Sequence, residues 1–261
     1  MVWVYVNRSE IDKVEEPHFI YAVGGGMGNL AKIVGRTLIK KYKPKLLGYI
    51  VSKAFPDISY SNKDGILSKS YPIKLYYFTH NERDFLILYG NLQPGLLEDV
   101  GISLEERYDA TIKVLRILKK LNTQMIVSIG GLGLELEPDS PKLYLSYNKY
   151  FDKKFLEDKG VQFEVFYRNN IVGMSGLFVS LSSFYKIPAF ILLAETYSTN
   201  QIDGYIGASK ILEALNKLYE FDIDTSKIYE KGKELREKVK EYIKESLERM
   251  QKDRKMPDYF G

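Results

Sequence analysis

The chain has 261 residues, of which 45% are hydrophobic and 28% are charged, a composition typical of a folded globular protein. Its 38 basic and 34 acidic residues give a net charge of +4, and this near balance argues against a dedicated nucleic-acid-binding protein. The absence of cysteine excludes disulfides, thiolate catalysis and cysteine-ligated zinc, and two histidines cannot supply a histidine-rich metal site.

The first ten residues, MVWVYVNRSE, have neither the basic start nor the long apolar stretch of a signal peptide. No later segment approaches the roughly 18 unbroken apolar residues of a membrane-spanning helix. We therefore expect a cytoplasmic protein that has no membrane partner.

Short apolar runs, rich in β-branched and aromatic residues, predict the β-strands of this chain. Several of them are apolar at nearly every position, as expected for strands that are buried on both faces of a sheet. In chain order the runs are 2–6, 19–23, 46–51, 73–78, 85–89, 125–129, 163–167 and 189–194.

Helical patterns lie between these strands. They cover 29–42, 174–185 and 206–218, and a further helix begins near Leu104 and carries apolar residues at helical spacing as far as Leu118. Strands that alternate with helices predict βαβ units and a largely parallel sheet that is covered on both sides. The runs YPIKLYYF and FLILY, separated by HNERD, predict a hairpin, so the sheet is also expected to contain antiparallel strands.

A change of composition divides the chain near its end. We expect a core domain over residues 1–222, a charged amphipathic helix over 223–255 that begins near Thr225, and a short tail over 256–261. The apolar stripe of the helix is narrow, as in a helix that contacts a neighbouring molecule or forms a short coiled coil. A helix that packs back on its own domain fits the pattern equally well. The stripe consists of Ile228, Leu235, Val239, Tyr242, Ile243 and Met250.

Glycine-rich loops are the candidates for ligand binding. The sequence VGGGMGNLAK follows a predicted strand and opens a predicted helix, where backbone N–H groups could hold a phosphate. Its spacing fits neither the Rossmann nor the Walker pattern, and glycines here also permit a tight turn and close helix–strand contact. A second glycine-rich turn covers 130–133.

Glu195 follows an apolar strand at its carboxyl end, where α/β proteins place functional groups. It either takes part in ligand binding or bonds to the backbone of the glycine loops. One hypothesis is therefore a nucleotide- or phosphate-binding enzyme. Its ligand cleft would contain Met27, Gly28, Asn29, Gly130, Gly131 and Glu195.

Ser175 lies in the sequence GMSGL, which resembles a nucleophile elbow. The pattern requires a second glycine at position 177, where this chain has leucine, and two histidines make a serine–histidine–aspartate triad improbable. We interpret Ser175 as a helix cap.

An ordered set of motifs resembles the proteasome assembly chaperone 2 family, and within it the archaeal PbaA- and PbaB-like proteins. The resemblance covers roughly residues 17–220. It implies a three-layer α/β/α sandwich, no catalytic role, no cofactor, homo-oligomers, and binding to the α-ring at the ends of the 20S proteasome core particle. The motifs are GMGNLA (26–31), FPD (55–57), YGNLQP (89–94), IGGLG (129–133), GMSGLF (173–178) and IPAFILLAET (187–196).

The same resemblance gives the C-terminal residues a role. Proteasome-binding members of the family end with a hydrophobic residue, a tyrosine and any last residue, which Tyr259, Phe260 and Gly261 match with phenylalanine in place of tyrosine. An aromatic anchor supplies most of the affinity of a small contact, and a free carboxylate can be bound by a lysine or by backbone N–H groups. The resemblance therefore implies that these three residues dock on the proteasome, with either an assembly-chaperone or an activator role.

Overall fold

The computed structural model describes a mixed α/β protein. Residues 2–55, 59–69, 73–94, 104–167 and 170–253 are described. The strands are β1 (Val2–Val6), β2 (His18–Val23), β3 (Lys45–Ser52), β4 (Ser59–Ser61), β5 (Leu67–Lys69), β6 (Ile73–His80), β7 (Arg83–Gly90), β8 (Met125–Leu134), β9 (Leu143–Tyr147), β10 (Glu164–Val165) and β11 (Ala189–Tyr197). The helices are α1 (Arg8–Ile11), α2 (Leu30–Tyr42), α3 (Glu105–Lys120), α4 (Lys154–Glu157), α5 (Met174–Leu181), α6 (Tyr205–Tyr219) and α7 (Ser226–Asp253).

Nine of the described strands form one sheet in the order β1-β3-β6-β7-β2-β8-β11-β9-β10. The four central strands, β7, β2, β8 and β11, are all parallel. Antiparallel pairing joins β1, β3, β6 and β7 on one side and β11 to β9 on the other. The predicted α/β class is confirmed, and so is the hairpin formed by β6 and β7.

Helices cover both faces of this sheet and enclose two hydrophobic cores. One core packs Ile20, Ile87 and Val127 against α2 and α6. The other places Ile191 with residues of α3 and α5 on the opposite face. Alternate residues of each central strand thus enter different cores, which is why those strands are apolar at nearly every position. This arrangement is the predicted three-layer α/β/α sandwich.

The long helix α7 packs back on its own domain through its first half. Gly232 is buried, and a Cβ there would lie 2.5 Å from Cγ1 of Ile206, so the glycine permits close contact between α7 and α6. Beyond this contact the helix continues to Asp253, with Tyr242 72% exposed. Of the two alternatives for this helix, packing on its own domain is correct for its first half. No helix in the described part of the chain is long and apolar enough to cross a membrane.

Candidate functional site

A cleft opens where two central strands separate. Strand β2 pairs with β8 only as far as Tyr21 opposite Ser128, after which β2 stays with β7 and β8 stays with β11. Chain connections from these strands run in opposite directions across the sheet, so the gap is a topological switch point. Ligands of open α/β sheets characteristically bind at such a point, beyond the carboxyl ends of the strands.

The two glycine-rich segments form opposite walls of this gap, which we call the glycine cleft. Gly25, Gly26 and Met27 lie on one wall, and Gly130 and Gly131 on the other, around a volume of about 390 Å³. A Cβ at Gly131 would collide with the backbone oxygen of Met27, so this glycine is required for the close approach of the two walls. The structure thus brings together Met27, Gly130 and Gly131 from the predicted set.

Gly28 and Asn29 have structural roles beside the cleft and do not line it. Gly28 has φ +59°, and its N–H donates to the backbone oxygen of Thr199 at 2.8 Å. The amide nitrogen of Asn29 donates to Asn200 O at 2.6 Å and to Asp203 Oδ1 at 3.0 Å. Both residues therefore fasten the first glycine loop to the segment that leads into α6, which corrects their predicted place in the ligand cleft.

Glu195 also lies outside the cleft. Its Oε2 accepts a hydrogen bond from the backbone N–H of Lys142 at 2.9 Å, and its Oε1 accepts one from the hydroxyl of Tyr144 at 3.2 Å. These partners belong to β9 and the residue before it, on the far side of β11 from β8. The expectation that Glu195 joins the glycine loops is wrong, because its carboxylate joins β11 to β9.

Two polar side chains that the sequence reasoning missed do line the glycine cleft. Gln93 follows β7, and its Oε1 accepts the N–H of Met174, the first residue of α5, at 2.9 Å. Arg107 lies in the first turn of α3, and its Nε donates to the backbone oxygen of Pro94 at 2.8 Å. Burial lowers the pKa of Arg107, but a guanidinium stays charged at any physiological pH.

Ser175 lines the same cleft but does not cap α5. The N-cap position is Gly173, with φ +102°, and no side chain bonds the helix start from there. The predicted cap role of Ser175 is therefore wrong. The first backbone N–H of α5 is bound instead by Gln93 from a different part of the chain.

Glu137 is a further residue that the sequence reasoning missed. Its carboxylate is buried and accepts hydrogen bonds from Gly207 N at 2.8 Å, Thr196 Oγ1 at 3.1 Å and Ile206 N at 3.3 Å. It thereby caps the N-terminus of α6, where a negative charge is favoured. Burial raises the pKa of Glu137, and the hydrogen bonds from Gly207, Thr196 and Ile206 oppose that shift.

The backbone of Glu137 also fixes α7 to the domain. Arg236 of α7 donates from Nε to the backbone oxygen of Glu137 at 2.7 Å and places Nη2 3.2 Å from Asp139 Oδ2. The side chain of Arg236 is only 16% exposed, whereas that of Asp139 is 60% exposed, so the ion pair remains open to water on the Asp139 side. Tyr259, Phe260 and Gly261, the predicted docking residues, lie outside the described residues.

Fold and cleft together define an α/β/α sandwich protein with a ligand-sized cleft at its topological switch point. The chain belongs to the PAC2 family, whose model matches residues 25–243. One relative is Uncharacterized protein MJ0106 of Methanocaldococcus jannaschii, which is 25% identical to this chain over 251 residues. The match covers 96% of this chain and 95% of the relative.

Solved structures of the same fold include two proteins of Pyrococcus furiosus. PbaB, described as an archaeal proteasome activator, matches with a TM-score of 0.76 and 21% identity over 92% of this chain and 98% of PbaB. PbaA, described as an archaeal homolog of proteasome-assembly chaperone, matches with a TM-score of 0.70 and 20% identity over 97% of each chain.

Proposed function

We propose that this protein binds the α-ring of the proteasome core particle as a homo-oligomer, without ATP and without catalysis of its own. The observation that carries the proposal is the PAC2 family match over residues 25–243. It is supported by the likeness of the whole fold to PbaB, described as a proteasome activator, and to PbaA, described as a homolog of a proteasome-assembly chaperone. We expect the protein to assist assembly of the core or to activate the finished core, in the cytoplasm.

The docking element in this proposal is the segment Tyr259, Phe260 and Gly261. The aromatic ring of Phe260 would fill a pocket of the partner, and the carboxylate of Gly261 would be bound beside it. Pro257 restricts the backbone before these residues and lowers the entropy lost on binding. The attachment of α7 through Arg236 supports the proposal, because a helix held at its base can carry its far end away from the domain.

Self-association is part of the proposal because one short tail binds weakly, whereas several tails on one oligomer bind by avidity. The surface that we assign to a second copy is the groove between α7 and the segment before α6, where Leu235, Val239 and Ile202 are flanked by charged side chains. Light scattering should give a multiple of the chain mass of 30.2 kDa. Leu235→Lys combined with Val239→Lys should lower that mass, and an unchanged mass would refute this interface.

The decisive experiment is co-purification with a proteasome core, comparing the wild type with a variant that lacks residues 259–261. The truncated protein should keep its fold and its oligomeric mass but lose binding. Phe260→Ala should weaken binding strongly, because truncation of a buried aromatic anchor costs at least about 2 kcal/mol per site. Full binding by the truncated protein would refute the tail hypothesis.

Two further variants test the register of the docking element. Phe260→Tyr should bind at least as tightly as the wild type, because the added hydroxyl can form a hydrogen bond worth about 0.5–1.5 kcal/mol. One residue added after Gly261 should weaken binding, because it moves the carboxylate away from its position beside the ring. Stimulation of peptide hydrolysis by the core distinguishes an activator from an assembly chaperone.

A further inference from the structure

We propose that an uncovered aromatic face of the sheet binds single-stranded nucleic acid. This inference goes beyond proteasome binding and is independent of it. The face lies at the β1 edge of the sheet, on the side on which α2 packs, and we call it the tyrosine face. Its aromatic residues are Trp3, Tyr5, Tyr49, Tyr76 and Tyr89.

Strand pairing places these rings side by side. Residues that lie opposite each other in a sheet point to the same face, and so do residues two apart on one strand. One row across β1, β3, β6 and β7 consists of Tyr5, Tyr49, Lys74 and Tyr89. Trp3 and Tyr76 are each two residues from a member of this row and share its face. A Cβ at Gly35 of α2 would lie 2.8 Å from Cδ2 of Tyr89, so α2 covers the β7 end of the row and leaves the β1 end open.

The rings at the β1 end of the tyrosine face are open to solvent. Tyr5 is 59% exposed, Trp3 41% and Tyr49 39%, although each lies within a strand. No ring–ring contact in the described part of the chain involves these three side chains. Their faces are therefore free to stack with other planar groups. Bases of single-stranded nucleic acid stack on such rings whatever their sequence, because every base has a π-face.

The charges around the tyrosine face are positive. Strands β1, β3 and β6 and helix α2 carry or border the face, and none of them contains an aspartate or a glutamate. Burial raises the pKa of Tyr89 and the charge of Arg36 opposes that rise, which places this guanidinium beside the face. Lys40 lies one helical turn after Arg36, and Lys74 lies in the row itself.

These three cations are not neutralised by neighbouring side chains. Arg36, Lys40 and Lys74 form no ion pair among the described residues. Carboxylates from other elements pair instead with lysines outside this group, Glu10 with Lys45 and Asp222 with Lys41. Aromatic rings for bases and unpaired cations for phosphates are the two components of a single-strand binding surface.

The same charges argue against a second copy of this chain as the occupant. In a two-fold symmetric contact both copies present the same surface, so Arg36, Lys40 and Lys74 would face like charges. Like charges across an interface oppose association, whereas the phosphates of a nucleic acid complement them. The near balance of 38 basic and 34 acidic residues in the whole chain does not conflict with this assignment, because binding depends on how charge is distributed over one face.

Fluorescence anisotropy with the full-length protein tests the inference. The probe is a labelled oligouridylate of about 15 nucleotides, which is within the usual range of single-strand site sizes. We expect saturable binding, and clearly weaker binding to duplex RNA of the same length, because paired bases cannot stack on the sheet. The slope of log affinity against log salt should be about −2, since three phosphate contacts contribute about −0.7 each. Absence of saturable binding at low salt, or equal affinity for the duplex, would overturn the inference.

Matched variants separate stacking from charge. Tyr5→Ala should lower the affinity at least about fivefold and leave the salt slope unchanged, because it removes a ring and no charge. Arg36→Gln should lower the affinity and reduce the slope by about 0.7. The controls Tyr108→Ala and Arg116→Gln change exposed residues of α3, on the opposite face of the sheet, and should bind as the wild type does. Wild-type affinity in Tyr5→Ala, or equal losses in the controls, contradicts the assignment.

Two further measurements exclude other occupants. Trp3→Ala repeats the test at a second ring, and light scattering of both aromatic variants should give the wild-type mass. A lower mass in either variant would show that the tyrosine face joins two copies of the chain and would overturn the inference. Polyglutamate should displace the oligouridylate poorly, because it carries charge but no planar bases. Displacement at equal charge concentration would mean that the surface binds any polyanion, and the assignment to nucleic acid would fail.

Discussion

Glu137 is expected to be the residue on which the attachment of α6 depends most. Glu137→Ala removes the acceptor of three hydrogen bonds, from Gly207 N, Ile206 N and Thr196 Oγ1. Each buried donor that loses its acceptor costs about 1–3 kcal/mol, although water can enter the space left by the side chain. The wild-type carboxylate is itself penalised by burial, as its raised pKa indicates. We therefore expect a net loss of about 2–4 kcal/mol in the free energy of unfolding.

Denaturant unfolding and thermal melting measure this loss. For a chain of this size, about 1 kcal/mol corresponds to a shift of about 2–4 °C in melting temperature, so the variant should melt roughly 5–15 °C lower. Glu137→Gln is the matched control, because it keeps the size and one accepting oxygen and should cost clearly less. An unchanged free energy of unfolding in Glu137→Ala, or equal damage by both substitutions, would refute the reasoning.

The pH dependence gives a second test of the same residue. Burial raises the pKa of Glu137 above its unfolded value of 4.5. Its contribution to stability is therefore greatest below pH 4.5 and is lost as the pH rises through the folded-state value. Glu137→Gln does not ionise, so the difference in unfolding free energy between wild type and variant should shift in favour of the variant as the pH rises through this interval.

Three further changes test the core, a buried histidine and the base of α7. Val127→Asp places a charge without a partner in the core that contains α2 and α6, so the variant should be insoluble or unfolded, whereas normal melting would contradict the strand assignment. Burial, and to a smaller extent the charge of Arg83, lowers the pKa of His18 to about 3. Below pH 6.5 the unfolded chain therefore binds a proton at His18 that the folded chain does not, and the free energy of unfolding should fall by up to about 1.4 kcal/mol per pH unit. Titration of unfolding free energy should show this fall in the wild type and lack it in His18→Phe. Arg236→Met should speed amide exchange in α7, because it removes the hydrogen bond to the backbone oxygen of Glu137, which is worth about 1.5–3 kcal/mol. Lys240→Met is the control, because this side chain is 60% exposed, and it should leave exchange unchanged.

The central strands could be predicted from the sequence because they are buried on both faces, so nearly every one of their residues is apolar. The runs 19–23 and 189–194 correspond to His18–Val23 and Ala189–Tyr197. Strand β8 was predicted only to residue 129, because Gly130 and Gly131 carry no strand preference. Their extended backbone comes from pairing with β11, a contact about 60 residues away in the chain, which local pattern does not reveal.

Strand β9 was missed although its two buried residues, Leu143 and Leu145, alternate with the less buried Tyr144, Ser146 and Tyr147. Five residues are too few for this pattern to stand out from the surrounding loop. The omission had a consequence for the site, because the true partners of Glu195 are on or beside β9. A carboxylate at the end of a strand cannot be assigned to a ligand until the neighbouring strand is known.

The walls of the glycine cleft were predictable, and its polar groups were only partly so. Gln93 lies three residues after the end of β7, and the carboxyl ends of parallel strands meet at one edge of the sheet, so topology could have placed it near Met27. Arg107 gives no such signal, because nothing in the α3 sequence distinguishes it from Arg116 on the same helix. Glu137 reaches α6 from 70 residues earlier in the chain, and its loop carries no motif.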